Sequence, residues 1–292
     1  MKNLLDVLKE TDEKKVALGH FNISDTVGLK AIFESARNLS VPILIGVSEG
    51  EREFIGTSQV AALVSSLRNE YNYPIFLNAD HTHSLDKVKE AAIAGFDEIL
   101  FDGSMLPLEE NIKQTKEAVE TAKSINPNVL VEGEIGYIGS SSEIIDKVPE
   151  ESLVLTTPKE AKRFVDETGI DVLAPAVGNM HGLLKSMLTG EVHKKLNIPL
   201  ISEIKQATGG TLMTLHGGSG TADEDFVAAI KSGMTIIHVN TEIRVAWRKG
   251  VEEGLRQNPQ EVAPYKILPL AVSEIEKVVS QRLKLFNSLD KF

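Results

Sequence analysis

Short apolar runs alternate with longer amphipathic segments along the chain. Eight six-residue runs read as strands, at 16–21, 42–47, 74–79, 96–101, 129–134, 172–177, 212–217 and 235–240. In the segments between them, apolar residues recur three and four positions apart, which is the spacing of a buried helix face. Such segments lie at 26–39, 56–71, 84–95, 107–125, 157–169 and 222–233. The pattern therefore predicts strand–helix alternation through the whole chain.

Residues at the predicted helix boundaries agree with this assignment. Hydroxyl residues precede three of the segments and glycines end three, namely Ser84, Thr157 and Thr221, and Gly95, Gly169 and Gly233. Alternating strands and helices form a parallel sheet covered by helices. Eight such units in about 250 residues predict a (β/α)8 TIM barrel, with an open doubly wound sheet as the alternative. We expect a single domain over residues 1–292, with a C-terminal helical extension over about 264–292.

The composition restricts the chemistry open to this chain. Its 292 residues include 31 Lys and Arg against 42 Asp and Glu, a net charge of −11, so it lacks the basic footprint of a nucleic-acid-binding protein. It has no cysteine, so a transition-metal site would use histidines and carboxylates. Neither a signal-peptide core nor an apolar run of about 18 residues is present, and we expect a cytoplasmic protein without membrane contact.

Polar residues collect where the predicted strands end, on the face of a barrel that carries chemistry. In chain order they are Asn22, Ser48, Asp80, His81, Asp102, Glu132, Glu134, Asn179, His181, His216, His238 and Asn240. Three histidines from different strands, His81, His181 and His216, would suit a catalytic Zn²⁺ with one open position. Spacing alone leaves a metal site and three structural histidines as alternatives. His20 and His193 fall outside the pattern and are predicted to be structural or on the surface.

A glycine-rich turn, HGGSG at 216–220, follows the seventh predicted strand and precedes a helix. Glycines let backbone N–H groups approach an anion closely, so this turn is a candidate phosphate site. The candidate contacts are Gly182, Gly217, Gly218, Ser219, Asn240 and Thr241. Arg244, one turn into the last barrel helix, would bind a second phosphate or would be an ordinary solvated residue.

Five blocks together resemble the class II, metal-dependent ketose-bisphosphate aldolases, which comprise the fructose- and tagatose-bisphosphate aldolases. The blocks are FDGSMLPLEENI, VEGEIGYIG, AVGNMHG, LHGGSGTADEDF and VNTEIR. They occur in the family's order, and the resemblance covers nearly the whole chain. It implies a homodimer or a homotetramer that acts on a small sugar phosphate.

The resemblance also implies roles for individual residues. By block match, the Zn²⁺ ligands are His81, His181 and His216, carboxylates for a second ion are Asp102 and Glu134, and substrate-side residues are Asn22 and Ser48. Asp80, directly before the first ligand, matches the acid–base residue. The glycine turn matches the phosphate site of the family, beside which a monovalent cation, Na⁺ or K⁺, is expected.

The implied reaction is reversible cleavage of fructose 1,6-bisphosphate to dihydroxyacetone phosphate and glyceraldehyde 3-phosphate. The metal would polarise the C2 carbonyl, and Asp80 would take the proton of the C4 hydroxyl. Tagatose 1,6-bisphosphate or another ketose phosphate is an alternative substrate, and Co²⁺ or Fe²⁺ an alternative metal. A Schiff-base aldolase would need a lysine, which no strand-end position carries. A barrel metal-hydrolase and a non-catalytic sugar-phosphate binder are remoter alternatives.

Four departures from the family pattern concern the part of the site that reads the sugar. Thr82 and His83 follow the Asp–His pair, where glycine is usual. His238 stands in place of an asparagine, and it is predicted either to contact the substrate or the catalytic aspartate, or to fill the space as a buried residue. Asn179 replaces a small hydroxyl residue. In the loop after GYIG, Glu143 is the expected donor of the second proton.

Overall fold

Eight parallel strands close into a barrel in the computed structural model, which describes residues 2–139, 142–145, 154–187 and 192–286. The strands are β1 (Leu18–Asn22), β2 (Ile43–Val47), β3 (Ile75–Thr82), β4 (Glu98–Phe101), β5 (Leu130–Ile135), β7 (Val172–Pro175), β9 (Leu212–Leu215) and β10 (Ile236–Val239). Pairing of β1 with β10 closes the sheet. Two short strands, β6 (Ile144–Ile145) and β8 (Leu183–Leu184), pair separately. The predicted (β/α)8 TIM barrel is confirmed, and the open sheet is not formed.

Helices cover the outside of the barrel. They are α1 (Leu4–Lys14), α2 (Thr26–Leu39), α3 (Glu49–Ile55), α4 (Thr57–Tyr71), α5 (Leu85–Ala94), α6 (Leu108–Ile125), α7 (Pro158–Thr168), α8 (Ile198–Ala207), α9 (Asp223–Ser232), α10 (Thr241–Gln257), α11 (Pro264–Ile267) and α12 (Pro269–Phe286). All six predicted helical segments are confirmed, whereas α1, α3 and α8 were not predicted. Within the described ranges, no helix combines the length and the apolar character needed to span a membrane.

The helix boundaries follow the predicted caps with one exception. Ser84 and Thr157 each accept a hydrogen bond from the backbone N–H three residues further on, and the predicted glycines end α5, α7 and α9. The prediction for Thr221 is wrong, because α9 begins one residue later, after Ala222. The N–H of Thr221 instead donates to the carbonyl of Gly218, so this residue belongs to the glycine turn.

The N-terminal helix α1 covers the barrel end at which the strands begin. Its apolar face packs against side chains near the starts of six strands, in a cluster made of Leu4, Val7, Leu8, Leu18, Leu44, Phe76, Leu130, Val172 and Ile236. Because this end is filled with apolar side chains, polar chemistry is left to the opposite end, where the strands finish.

Leu8→Ala is expected to lower the free energy of unfolding by about 2–5 kcal/mol, because it leaves a cavity in this cluster. Leu8 is fully buried, whereas the adjacent Lys9 is exposed and Lys9→Ala serves as the control. Urea unfolding followed by circular dichroism measures the difference. If both variants were equally stable, the packing of Leu8 in this cluster would not stabilise the fold.

The C-terminal helices start at Pro264 and form part of the wall, and positions 287–292 of the expected extension lie outside the described residues. The last helix, α12, packs on α2 and α10, and the N–H of Ala17 donates to the carbonyl of Phe286 at 2.9 Å. Gly250 of α10 allows a close crossing, because a Cβ there would lie 2.3 Å from the Cα of Ala271. The extension is therefore packed on the barrel as one of its layers.

Candidate active site

Three histidines meet at the mouth of the barrel where the strands end. His81 lies on β3, while His181 and His216 follow β7 and β9. The ring centroids are 4.7 Å apart for His81 and His181, 5.0 Å for His81 and His216, and 5.8 Å for His181 and His216. One donor atom from each ring and a carboxylate oxygen of Glu134 all lie within 4.8 Å of one another. The structure thus brings the predicted ligands together and adds Glu134 as a fourth donor.

The chemistry of this donor set fits a metal ion. Nε2 of His181, Nδ1 of His216 and both carboxylate oxygens of Glu134 are buried without a hydrogen-bond partner among the described residues. Burial and the neighbouring His81 lower the pKa of His181 well below its usual value and that of His216 to about 3. Both rings are therefore neutral at pH 7, the form that binds metals. Nitrogen and oxygen donors of this number suit Zn²⁺.

Two of the three rings are hydrogen-bonded to a carboxylate through one ring nitrogen. Nδ1 of His81 lies 2.8 Å from Oδ2 of Asp102, and Nε2 of His216 lies 2.7 Å from Oε1 of Glu132. Such carboxylate–imidazole pairs fix the orientation of a ligating ring and raise its basicity. Burial alone would lower the pKa of His81, but Asp80 and Asp102 raise it well above the usual value. The surrounding carboxylates therefore stabilise a positive charge on this ring.

Asp80 and His81 are adjacent, yet both side chains face the mouth. Successive side chains of a regular strand point to opposite faces. Here the register of β3 shifts between Ala79 and Thr82. The backbone of His81 has a φ of 41°, in the left-handed region that residues other than glycine rarely adopt. As a result, Nε2 of His81 comes within 3.7 Å of Oδ1 of Asp80. Backbone strain of this kind is concentrated at functional sites.

A buried arginine from α3 holds this irregular segment. The guanidinium of Arg52 donates to the carbonyl oxygens of Val47 and Asp80, at 2.6 and 3.2 Å, and to Thr82 Oγ1 at 3.0 Å. Only 2% of the residue is exposed. Because these bonds lie on both sides of His81, they stabilise the strained turn that aims the ring.

Asp80 has one carboxylate oxygen anchored and one facing the mouth. The amide of Asn22 donates to Oδ2 of Asp80 at 2.8 Å and to Glu51 at 2.9 Å. Oδ1 has no hydrogen-bond partner in the described chain and lies 3.7 Å from His81 and 3.6 Å from Nδ1 of His238. Burial would raise the pKa of Asp80, but His81 lowers it below its usual value. Asp80 is therefore a carboxylate at neutral pH.

His238 is both buried and directed at Asp80, so features of both predicted alternatives are present. Its ring stacks on His20, with centroids 3.3 Å apart and an interplanar angle of 1°. Burial and His20 lower the pKa of His238, and burial lowers that of His20 to about 4. His20 is buried and contacts Asn78 at 3.2 Å, and His193 is exposed. Two neutral rings thus form the wall beside Asp80.

The glycine turn after β9 lies beside the three histidines. Five of the six predicted phosphate contacts line one small pocket with His181 and His216, namely Gly182, Gly217, Ser219, Asn240 and Thr241. A Cβ on Gly217 would lie 2.2 Å from the carbonyl oxygen of Met180, so only glycine fits there. Gly218 is the exception, because its N–H donates to the carbonyl of His238. It serves the packing of the turn rather than facing the pocket.

A wider cleft of about 270 Å³ continues outward from the histidines. Its lining includes Ser48, Glu49, Gly50, Asp80, His81, His83, Asp102, Ser142, His181, Asn240 and Arg244. The hydroxyl of Ser48 accepts the N–H of Glu51 and so caps α3 at the edge of this cleft. Arg244 pairs with Glu51 at 2.8 Å and donates to the carbonyl of Ser142 at 3.3 Å. Its guanidinium is therefore held at the rim rather than free in solvent.

Glu143 stands apart from the histidine cluster. Its side chain is exposed, its carbonyl accepts the N–H of Leu183 at 2.8 Å, and it borders a separate surface depression with Thr241 and Arg244. Neighbouring loop positions 140–141 and 146–153 lie outside the described residues. The structure therefore does not bring Glu143 to the cleft.

Two of the departures from the family pattern have structural explanations. His83 is an exposed rim residue whose Nδ1 lies 3.2 Å from the carbonyl oxygen of Asp102. The amide of Asn179 donates to the carbonyl of His216 at 3.0 Å, and its own oxygen accepts the N–H of Val177. Asn179 therefore braces the loop of one predicted ligand against the loop of another.

The sequence model of a family described as class-II fructose-bisphosphate aldolase matches residues 2–291. The chain belongs to this family. Members of the family are lyases, and the class is zinc-dependent, in agreement with the histidine and carboxylate cluster of this aldolase. The resemblance stated from the five sequence blocks is therefore confirmed.

Relatives of this aldolase match it over its length. A fructose-bisphosphate aldolase of Staphylococcus aureus is 34% identical, over 99% of this chain and 98% of the relative. One of Geobacillus stearothermophilus is 35% identical over the same shares. A solved structure titled a putative fructose-1,6-biphosphate aldolase from Coccidioides immitis is 25% identical, with a TM-score of 0.84 over 99% and 97% of the chains. The YdjI aldolase of Escherichia coli, 24% identical with a TM-score of 0.80 over 99% and 98%, shares the fold.

Sequence reasoning missed three charged residues of this aldolase that shape the site. Glu51 and Arg52 come from α3, for which the SEGE segment at 48–51 is a capping-box signature. That signature would have placed a helix, and hence both residues, beside the mouth. Lys194, which lies behind the glycine turn, has no such signal, because a Lys-Lys pair reads as solvated surface.

Proposed function

We propose that this class II aldolase reversibly cleaves fructose 1,6-bisphosphate to dihydroxyacetone phosphate and glyceraldehyde 3-phosphate, with Zn²⁺ held by His81, His181 and His216. The observation that supports this most is the placement of Asp80. It is a buried carboxylate with one oxygen anchored and the other facing the mouth, beside three imidazoles. A general base needs this combination of ionisation, fixed orientation and access to the substrate.

The proposed roles of the other residues follow from their positions. The pocket of Gly182, Gly217, Ser219, Asn240 and Thr241 would bind one phosphate and so align the reacting carbons. Asp80 would then take the proton of the C4 hydroxyl, with Asn22 fixing its carboxylate and His238 lying 3.6 Å from its other oxygen. A bound Zn²⁺ would supply Lewis-acid polarisation of the C2 carbonyl. Glu134 would be a further metal donor, and Asp102 would orient His81.

Arg244 and Glu143 complete the proposal. Arg244 at the rim would meet the distal phosphate, because its guanidinium borders the cleft. Glu143 would supply the proton that dihydroxyacetone phosphate needs at C3, which requires its loop to approach the cleft. A cytoplasmic homodimer or homotetramer also remains our prediction, and sedimentation velocity would test the assembly.

Cleavage of fructose 1,6-bisphosphate, assayed by coupled oxidation of NADH, is expected to disappear after chelation and to return with Zn²⁺. Tagatose 1,6-bisphosphate is the parallel substrate, since His238 and His83 stand where the family usually carries other residues. Borohydride in the presence of substrate should not inactivate the enzyme, because no imine forms.

The two arms of this assay separate the claims. Activity that survives complete metal removal would contradict the metal-dependent mechanism. Cleavage of tagatose bisphosphate alone would reassign the substrate, and cleavage of neither sugar would remove the proposed substrate while leaving the family assignment intact.

A further inference from the structure

A buried lysine joins the two loops that carry His181 and His216. Nζ of Lys194 donates to the carbonyl oxygens of Met180 and Gly182 at 2.7 Å each, and to that of Gly217 at 2.9 Å. Only 4% of the residue is exposed. The first two carbonyls flank His181 in sequence and the third directly follows His216, so one ammonium group fixes both loops relative to each other.

The backbone of Lys194 is tied to the same turn. Its N–H donates to the carbonyl of Gly220 at 3.0 Å, and it forms an isolated parallel bridge with Thr221. Both ends of the residue are therefore anchored to the glycine turn. Its charge lies directly behind the pocket that Gly182 and Gly217 line.

The three carbonyl oxygens need a cation between them. Their dipoles point their negative ends at a common point, an arrangement that is repulsive unless positive charge occupies it. An ammonium group has three N–H donors and no acceptor, so it matches three carbonyls one to one. Burial lowers the pKa of Lys194 to about 7, opposed by Glu242, and the three carbonyl acceptors favour the protonated form, because a neutral amine has only two N–H donors. In the part of the chain that is described, the hydrogen-bond partners of Nζ are all carbonyls, so no contacting carboxylate neutralises it.

We propose that Lys194 is a built-in cation, which occupies the point between the three carbonyls where a Na⁺ or K⁺ ion would otherwise bind and stabilises a phosphate dianion held on the glycine turn. The inference deepens the proposed function and rests on it for the identity of the phosphate group. It replaces the expectation of a bound monovalent cation. Lys194 acts through the turn and does not line the pocket, so it is a positioning residue.

The test uses the zinc-loaded enzyme and inorganic phosphate, with binding measured calorimetrically in tetramethylammonium, K⁺ and NH₄⁺ buffers. Wild-type affinity is expected to be the same in all three. Lys194→Ala is expected to bind phosphate about 10–100-fold more weakly in tetramethylammonium, since it loses the positive charge behind the turn and the three hydrogen bonds that join the two loops. Saturable recovery with K⁺ or NH₄⁺ would follow, because either ion fills the carbonyl cage. Lys195→Ala, which removes the exposed neighbouring lysine, is the matched control and should behave as wild type.

Four results would overturn the proposal: a wild-type enzyme that needs K⁺ or Na⁺ to bind phosphate, a folded Lys194→Ala variant with unchanged affinity, a folded variant that no cation rescues, or borohydride trapping of substrate on Lys194. If Lys194→Ala does not fold, the proposal is tested by the cation dependence of phosphate binding in the wild type and in Lys194→Met. Phosphate binding is measured without any ketose. Failure of the enzyme to cleave either sugar would therefore be a separate result.

Discussion

Asp80→Asn is expected to reduce kcat for ketose bisphosphate cleavage by about 10²–10⁴-fold, the range that loss of a general base produces. The asparagine keeps the volume of the buried side chain and an oxygen for the amide of Asn22, but it cannot accept a proton. Zinc content should stay at the wild-type value, because the nitrogens of the proposed ligands His81, His181 and His216 are untouched. Steady-state kinetics and elemental analysis of the same preparation measure both quantities.

Asp86→Asn is the matched control for this prediction, since Asp86 is an exposed carboxylate in the first turn of α5. Its kcat should equal that of the wild type. If Asp80→Asn lost zinc together with activity, Asp80 would be a ligand rather than the base. If it kept its activity, the proton of the C4 hydroxyl would have to go to another group.

Periodicity predicted the barrel because each strand and each long helix buries an apolar face. Of the three helices that were not predicted, α1 is amphipathic, whereas the signal is weak in α3 and α8. Only seven residues form α3, and α8 is ten residues long with Pro199 in its first turn. The helix α3 begins directly after β2, at the mouth of the barrel, so missing it also concealed the charged residues that it contributes to the site.

Topology explains why the histidine cluster could be predicted. In a barrel, the ends of all strands converge, so His81, His181 and His216 had to be near one another once the strands were assigned. The backbone conformation at His81 could not be predicted in the same way. Alternation along β3 would have pointed Asp80 and His81 to opposite faces, and the left-handed turn that reverses this depends on Arg52, a contact made across the fold.

Buried charge was the least predictable part of the site. Lys194 and Lys195 are identical neighbours in sequence, yet one is buried against three carbonyls and the other is exposed. Glu51 is likewise buried, because Asn22 and Arg244 converge on it from β1 and α10. Partners that are distant in sequence decide which of two neighbouring charged residues is buried. No local sequence pattern identifies these partners.

His216→Ala is expected to abolish tight zinc binding and, with it, cleavage activity. The ring is buried, and its Nδ1 has no hydrogen-bond partner among the described residues and points into the cluster of donors. Removing it should weaken zinc affinity by more than the roughly 10–100-fold expected of Glu132→Gln, which removes only the carboxylate that orients the ring. Competition titration with a chromophoric chelator measures both affinities, and His193→Ala, at an exposed histidine, is the control.

The comparison between His216→Ala and Glu132→Gln also tests which donor set binds the metal. Donor atoms of Glu132, His216 and His238 lie within 4.8 Å of one another, as do those of the set that contains His81 and His181. If zinc binds the deeper set, Glu132→Gln should lose as much affinity as His216→Ala, and His181→Ala should lose none. If it binds the proposed set, His181→Ala should match His216→Ala. If all three variants bound zinc with wild-type affinity, both sets would be contradicted, and the ligands would have to come from elsewhere in the chain.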